Sequence, residues 1–161
     1  YRIMRCFCCS SLSFEQCCKP FIDGIKAPDS AEQLMRSRFS AYAVHNYEYV
    51  LNTYSNDKQQ GLSAQQLKDS ADGANWFALT IHRSSKEQQN DNTVEFTAFY
   101  FENKSVFQLH ETSRFIKENG LWRYHDGTLH DDCGKVKYGR NLPCLCASNK
   151  KFKQCCALKA R

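Results

Sequence analysis

Nine of the ten cysteines in this 161-residue chain lie in two clusters near its ends, and that distribution constrains the fold more than any other feature. The first cluster reads Cys6-Phe7-Cys8, eight residues, then Cys17-Cys18. The second reads Cys144-Leu145-Cys146, eight residues, then Cys155-Cys156. Ser10 matches Ser148, Phe14 matches Phe152 and Gln16 matches Gln154, so the two ends form an internal repeat. Each unit is too short to bury a core, so a bound cation has to supply its folding energy, of order 10 kcal/mol in apparent terms for structural zinc. Disulfide scaffolds spread their cysteines through the fold they staple, whereas clustered thiols point to metal ligation. Thiolates select zinc, and the same donor set also accepts iron. Two sites are therefore expected, Cys6, Cys8, Cys17 and Cys18 for one and Cys144, Cys146, Cys155 and Cys156 for the other. Adjacent cysteines diverge in regular structure, so the backbone has to bend sharply at each Cys-Cys pair.

Cys9 is a fifth thiol beside the first quartet and reads as a bystander, an alternative ligand or an oxidation-prone group. Cys133 stands apart and reads as structural or idle. The bland alternative to metal binding is a set of free thiols. If each site holds Zn²⁺ on four thiolates, the formal charge falls from +5 to +1, which removes a whole-molecule case for nucleic-acid binding. The asymmetry survives. Lys135, Lys137, Arg140, Lys150, Lys151, Lys153, Lys159 and Arg161 have no acid among them, so nucleic acid is served only by this end. No apolar run approaches the ~20 residues that span a bilayer. The first residues have no apolar h-region, so a soluble cytoplasmic protein without membrane insertion is expected.

Between the clusters the pattern is α+β. Asp29-Ser30 with Gln33 forms a helix start, followed by Leu34, Met35, Phe39 and Tyr42 at helical spacing. The pattern breaks at His45-Asn46 and resumes through Tyr54. Gly61 closes a polar loop, and Ser63 with Gln66 opens a shorter helix ending near Gly73. Strands are expected at 75–83, 93–101, 104–117 and 121–128, with 84–92 as a loop and Asn119-Gly120 as a tight hairpin turn. A curved four-stranded meander packed on the helices follows.

Cys-x-Cys-x8-Cys-Cys, with its central aromatic and nearby lysines, resembles the SEC-C motif of the SecA translocation ATPase. There the usual pattern is Cys-Pro-Cys-Gly-Ser-Gly, so Phe7 and Leu145 depart at the proline and Cys9 and Ala147 at the first glycine. A positive φ at that glycine would strain both. The middle of the chain resembles the UPF0225, YchJ-like family through the 34–42 stretch Leu-Met-Arg-Ser-Arg-Phe-Ser-Ala-Tyr. Val94-Glu95-Phe96-Thr97-Ala98, His110-Glu111-Thr112-Ser113-Arg114-Phe115 and Trp122-Arg123-Tyr124-His125-Asp126-Gly127 continue it. The resemblance implies an NTF2-like central domain over 28–132, flanked by SEC-C zinc motifs over 1–27 and 133–161. In SecA the related motif docks a chaperone and the ribosome.

Residues offered for a central pocket are Arg36, Arg38, Trp76, His110, Glu111, Arg114 and Asp126. His110 and Glu111 adjoin on a strand, so they face opposite sides and cannot form an acid–base pair. The plainer reading of these residues is a charge network of arginines and Glu111 tying helix to sheet. No nucleophile–base pair, phosphate loop or carboxylate dyad stands out. His82, His125 and His130 carry no signal individually. The chain therefore reads as a zinc-binding interaction module for a protein or ribosomal partner, with Lys150, Lys151 and Lys153 as its basic surface. The alternatives are a small-molecule binding protein or enzyme using the central cavity, and a thiol redox or metal-storage protein.

Overall fold

Local capping decides where the helices begin. The computed structural model describes residues 4–88 and 91–160, so Arg161 and the centre of the expected loop at 84–92 lie outside the described residues. A one-turn helix α1 (Lys19–Ile22) follows the first cysteine unit. Ser30 Oγ accepts from the Gln33 amide at 3.1 Å and opens α2 (Ala31–Ala43). Gln33 reaches back at 2.7 Å to the amide of Asp29, one residue before the usual capping-box partner. The helix ends where expected: His45 takes a φ of 63°, in the left-handed region, and Asn46 caps α3 (Tyr47–Asn52). A further turn, α4 (Asn56–Gln59), occupies the polar stretch read as loop. Ser63 and Gln66 make the full capping box of α5 (Ala64–Ser70).

Four long strands then form an antiparallel meander, β1 (Asn75–Gln88), β2 (Asp91–Glu102), β3 (Ser105–Glu118) and β4 (Leu121–Leu129). The region 84–92 is not a long loop: ladder pairing continues through Ser84 with Val94 and Ser85 with Thr93. Its polar composition does not break the ladder, whose bonds run through the backbone. Asn119 and Gly120 both take positive φ, 52° and 79°, as a tight twisted turn requires. A fifth strand, β5 (Gly134–Val136), pairs with residues 106–108 on the length of β3 that β4 leaves free. Three residues carry no readable period, which is why it was not expected.

The sheet is buried on both faces near its middle. Leu34, Met35 and Phe39 of α2 pack with Leu79, Val94, Phe96, Ala98 and Phe115, and the first cysteine unit joins this cluster through Cys6, Cys8 and Cys18. On the opposite face Phe77, Phe99 and Phe101 pack with Val106 and with Cys144, Cys146, Phe152 and Cys156 of the second unit. Alternation explains the split: Val94, Phe96 and Ala98 of β2 face the helices, while odd positions face the other side, where Phe99 and Phe101 meet the second unit. No helix among the described residues is long and apolar enough to cross a membrane.

Candidate metal centres and central cavity

The two cysteine units are near copies in three dimensions. Cys6 donates its amide to the Leu12 carbonyl at 2.8 Å, and Cys144 does the same to Lys150 at 2.8 Å. Phe14 donates to the Met4 carbonyl at 2.9 Å and Phe152 to the Leu142 carbonyl at 2.8 Å. These bonds close each loop into a knuckle. The bend required at the vicinal pairs is present: Cys17 has φ −112° and ψ −94°, and Cys155 has φ −129° and ψ −110°. Both lie outside the regular regions and turn the second sulfur of each pair inward.

Each quartet brings its four sulfurs within 4.8 Å of one another. Sγ–Sγ separations are 3.6 Å for Cys8–Cys17, 3.8 Å for Cys17–Cys18 and 3.6 Å for Cys146–Cys155. A tetrahedron with metal–sulfur bonds of about 2.3 Å has edges of about 3.8 Å, so the spacing fits a four-thiolate metal site. It is far beyond the ~2.05 Å of a disulfide. Ser10 Oγ lies 3.1 Å from Cys17 Sγ and Ser148 Oγ lies 3.2 Å from Cys155 Sγ, where each hydroxyl donates to a thiolate and accepts from the amide two residues on. The electrostatics agree. Sulfur contacts with Cys18 and Cys8 drive Cys6 far down, while contacts with Cys6 and Cys8 drive Cys18 far up. Burial opposes ionisation of Cys146, yet bonds from Ser148 and its fellow cysteines hold it at about 6, and burial then pushes Cys156 well up. Four thiolates this close would repel one another, and a cation among them would relieve that, so each quartet is compatible with a metal ion.

Arginines supply further positive charge. Arg36 donates to the Cys8 carbonyl at 2.9 Å and lies 3.8 Å from its sulfur. At the equivalent position of the second knuckle, Arg5 donates to the Cys146 carbonyl at 3.2 Å and lies 3.8 Å from its sulfur. Arg5 belongs to the first knuckle, so the two ends of the chain are joined directly. Cys9 lies against Leu79 of β1 between the quartets, and burial raises its thiol to about 11. Cys9 and Ala147 take φ of 64° and 63°, the strain that replacing glycine implies, and Ser11 and Asn149 repeat it at 77° and 68°.

A cavity of about 280 Å³ lies between α2 and the sheet. Of the seven residues offered for it, Arg38, Trp76 and Glu111 line it, together with Phe39, Tyr54, Ser113 and Tyr124. Arg36 does not. It sits two positions from Arg38, about 200° around the helix, and so faces the first knuckle instead. His110 and Arg114 point to the outer face of the sheet, where Arg114 lies 3.3 Å from Asp126 and 3.9 Å from Asp91. The expected Arg–Glu111 network is absent among the described residues. Arg38, 4% exposed, lies between the rings of Tyr54 and Tyr124 at 4.5 and 4.6 Å and donates to the Val50 carbonyl and Thr53 Oγ1. Glu111 instead accepts from Tyr124 at 2.7 Å and Ser113 at 2.8 Å. Cys133 bonds the His110 backbone through both its groups, with Sγ 3.3 Å from N and 3.4 Å from O.

The chain resembles known proteins in sequence and in fold. The description "YchJ, middle NTF2-like domain" matches residues 30–127, and the SEC-C motif matches residues 140–158. A UPF0225 protein of Photorhabdus laumondii is 38% identical over 154 residues, covering 94% of this chain and 97% of that protein. A UPF0225 protein of Vibrio cholerae is 38% identical over 154 residues, covering 95% and 99%. The solution structure of RPA3114, a SEC-C motif containing protein from Rhodopseudomonas palustris, superposes with a TM-score of 0.74 at 28% identity, covering 80% of this chain and 100% of that one. The crystal structure of a SEC-C motif containing protein from Psychrobacter arcticus gives 0.67 at 28% identity, covering 92% and 88%. With an NTF2-like core, a matched SEC-C motif and relatives aligned along nearly its whole length, the chain belongs to the UPF0225 family.

Proposed function

We propose that this protein is a zinc-binding interaction module whose second knuckle offers a basic face to an acidic protein partner, free or ribosome-bound. Four thiolates leave no open ligand position, so each zinc neutralises and organises its knuckle and takes no part in chemistry. One observation carries the interaction reading. Lys150 and Lys151 are exposed and Lys153 partly so, and none holds an ion pair among the described residues. The metal fixes the loop that bears them, and Leu142 and Leu158 of the same knuckle are 48% and 77% exposed. A rigid, unpaired basic loop with apolar neighbours suits an acidic protein surface. Capture from native extract tests it. Reversing Lys150, Lys151 and Lys153 to glutamate should remove the partner while metal content stays constant; equal recovery at physiological salt contradicts the reading, and loss on nuclease treatment reassigns the contact to RNA.

The cavity favours a second reading as a small-molecule binder. Trp76 Nε1 is buried with no acceptor among the described residues, and it shares the cavity with the buried Arg38. A ligand bearing a hydrogen-bond acceptor would satisfy that donor. Native mass spectrometry of freshly purified protein should then show a ligand that Trp76→Phe weakens; a single mass matching the metal-loaded chain removes this reading.

A further inference from the structure

The outer face of the sheet is covered by the second knuckle at one end only. Beyond it stand His82 of β1, Glu95 of β2 and His110 of β3, whose donor atoms all lie within 4.8 Å of one another. Their meeting is built into the ladder. Ile81 pairs with Phe96 and Arg83 with Glu95, so His82 is the extra residue of a β-bulge, a device that re-aims a side chain. Glu95 and Thr97 share a face, and Thr97 pairs with His110, which brings the carboxylate beside the imidazole.

His110 is fixed from several directions. Its Nε2 lies 2.7 Å from Glu95 Oε2 and its Nδ1 lies 2.8 Å from Asp132 Oδ1. The ring of His130 stacks on it at 3.9 Å and 7°, and His130 is itself bonded to Thr112 Oγ1 at 2.8 Å. Cys133 holds its backbone. Thr97 Oγ1 holds His82 at 2.7 Å. A carboxylate behind the far nitrogen of a histidine is the arrangement that orients a metal-ligating imidazole. Bonds of about 2.0–2.1 Å set tetrahedral donors about 3.4 Å apart, a distance these side chains reach by small rotations.

We infer that His82, Glu95 and His110 form a third, sulfur-free site for a divalent transition metal, oriented by Asp132 and open to water at one position. Two imidazoles and a carboxylate suit zinc, cobalt or iron(II), and three protein ligands leave room for an exchangeable one. On binding, the ion takes the place of the proton between His110 Nε2 and Glu95, which passes to solvent, while Nδ1–H stays on Asp132. No electrons are transferred. The site shares no ligand with the knuckles, so it stands or falls independently of their role.

Co²⁺ titrated into the full chain, with both cysteine quartets already holding zinc, tests the site. One further equivalent should bind, with ligand-field absorption and no thiolate-to-cobalt charge transfer. His82→Ala and Glu95→Gln should each weaken it by at least tenfold, and Asp132→Asn by about tenfold. Zinc content of two per chain and an unchanged near-ultraviolet dichroism spectrum would show that these variants remain folded. Failure to bind below about 1 mM, unchanged affinity in His82→Ala, or cobalt that reports sulfur ligation would each overturn the assignment.

Discussion

Gly127 pairs with Ser113 and lies diagonally from Glu111 on the β3–β4 ladder, and a methyl group there would sit 1.8 Å from Glu111 Oε1, 2.6 Å from its carboxyl carbon and 2.9 Å from the Tyr124 hydroxyl. Neither neighbour can give way cheaply. Glu111 is buried and takes both of its hydrogen bonds, from Tyr124 and Ser113, on that same oxygen. Burial and the nearby carboxylate push the Tyr124 phenol well above its usual range, so it stays a donor at any physiological pH. Gly127→Ala should therefore expel the carboxylate and break both bonds. At about 1.5 kcal/mol or more for each bond to a charged group, the loss is about 3 kcal/mol. In a chain of this size that lowers Tm by roughly 6–12 °C. Thermal unfolding followed by circular dichroism measures it, and Glu111→Ala supplies the control. In that background only the Tyr124 hydroxyl, no longer tied to the carboxylate, stands near the added methyl, which should cost under about 1 kcal/mol. A Gly127→Ala protein within 2 °C of the parent, or an equal loss in both backgrounds, would refute the argument.

The remaining predictions concern the knuckles. Ala147→Gly relieves about 1–2 kcal/mol of left-handed strain against about 0.4–1 kcal/mol of added unfolded-state entropy, so it should stabilise the second knuckle slightly, read as a rise in the chelator concentration that strips it. Arg5→Met removes the donor to the Cys146 carbonyl and sulfur and should weaken metal binding at the second knuckle by about tenfold in chelator competition, leaving the first unchanged. Phe152→Ala empties the slot against Phe77, Phe101 and Tyr138 and should cost about 3–5 kcal/mol in denaturant unfolding.

What the sequence made legible was the chemistry of local punctuation and of repeats. Ser30 and Ser63 announce helix starts because their side chains satisfy amides that nothing else reaches, and Asn119-Gly120 announces a hairpin because few residues tolerate its backbone. The quartets were legible for a similar reason: thiols in two matched short loops have few other uses. Long-range placement was less accessible. Ser84 and Ser85 pair in a ladder although their composition reads as loop, because ladder bonds run through the backbone and do not require apolar side chains. Helical spacing alone separates Arg36 from Arg38, and applying it would have removed Arg36 from the cavity. No sequence rule would have carried Arg5 across to Cys146, or aimed His82 through a bulge toward Glu95 and His110. Those contacts depend on where the sheet brings distant segments together.

On this account eight sulfurs hold two ions, and the ions order the ends of the chain. X-ray absorption at the metal edge, with metal content measured on the same reduced, anaerobically purified protein, tests it most directly. Two ions per chain in all-sulfur coordination with bonds of about 2.3 Å are predicted. Sulfur-free coordination of every bound ion, or no bound metal in a protein whose knuckle amides remain protected from exchange, would contradict it.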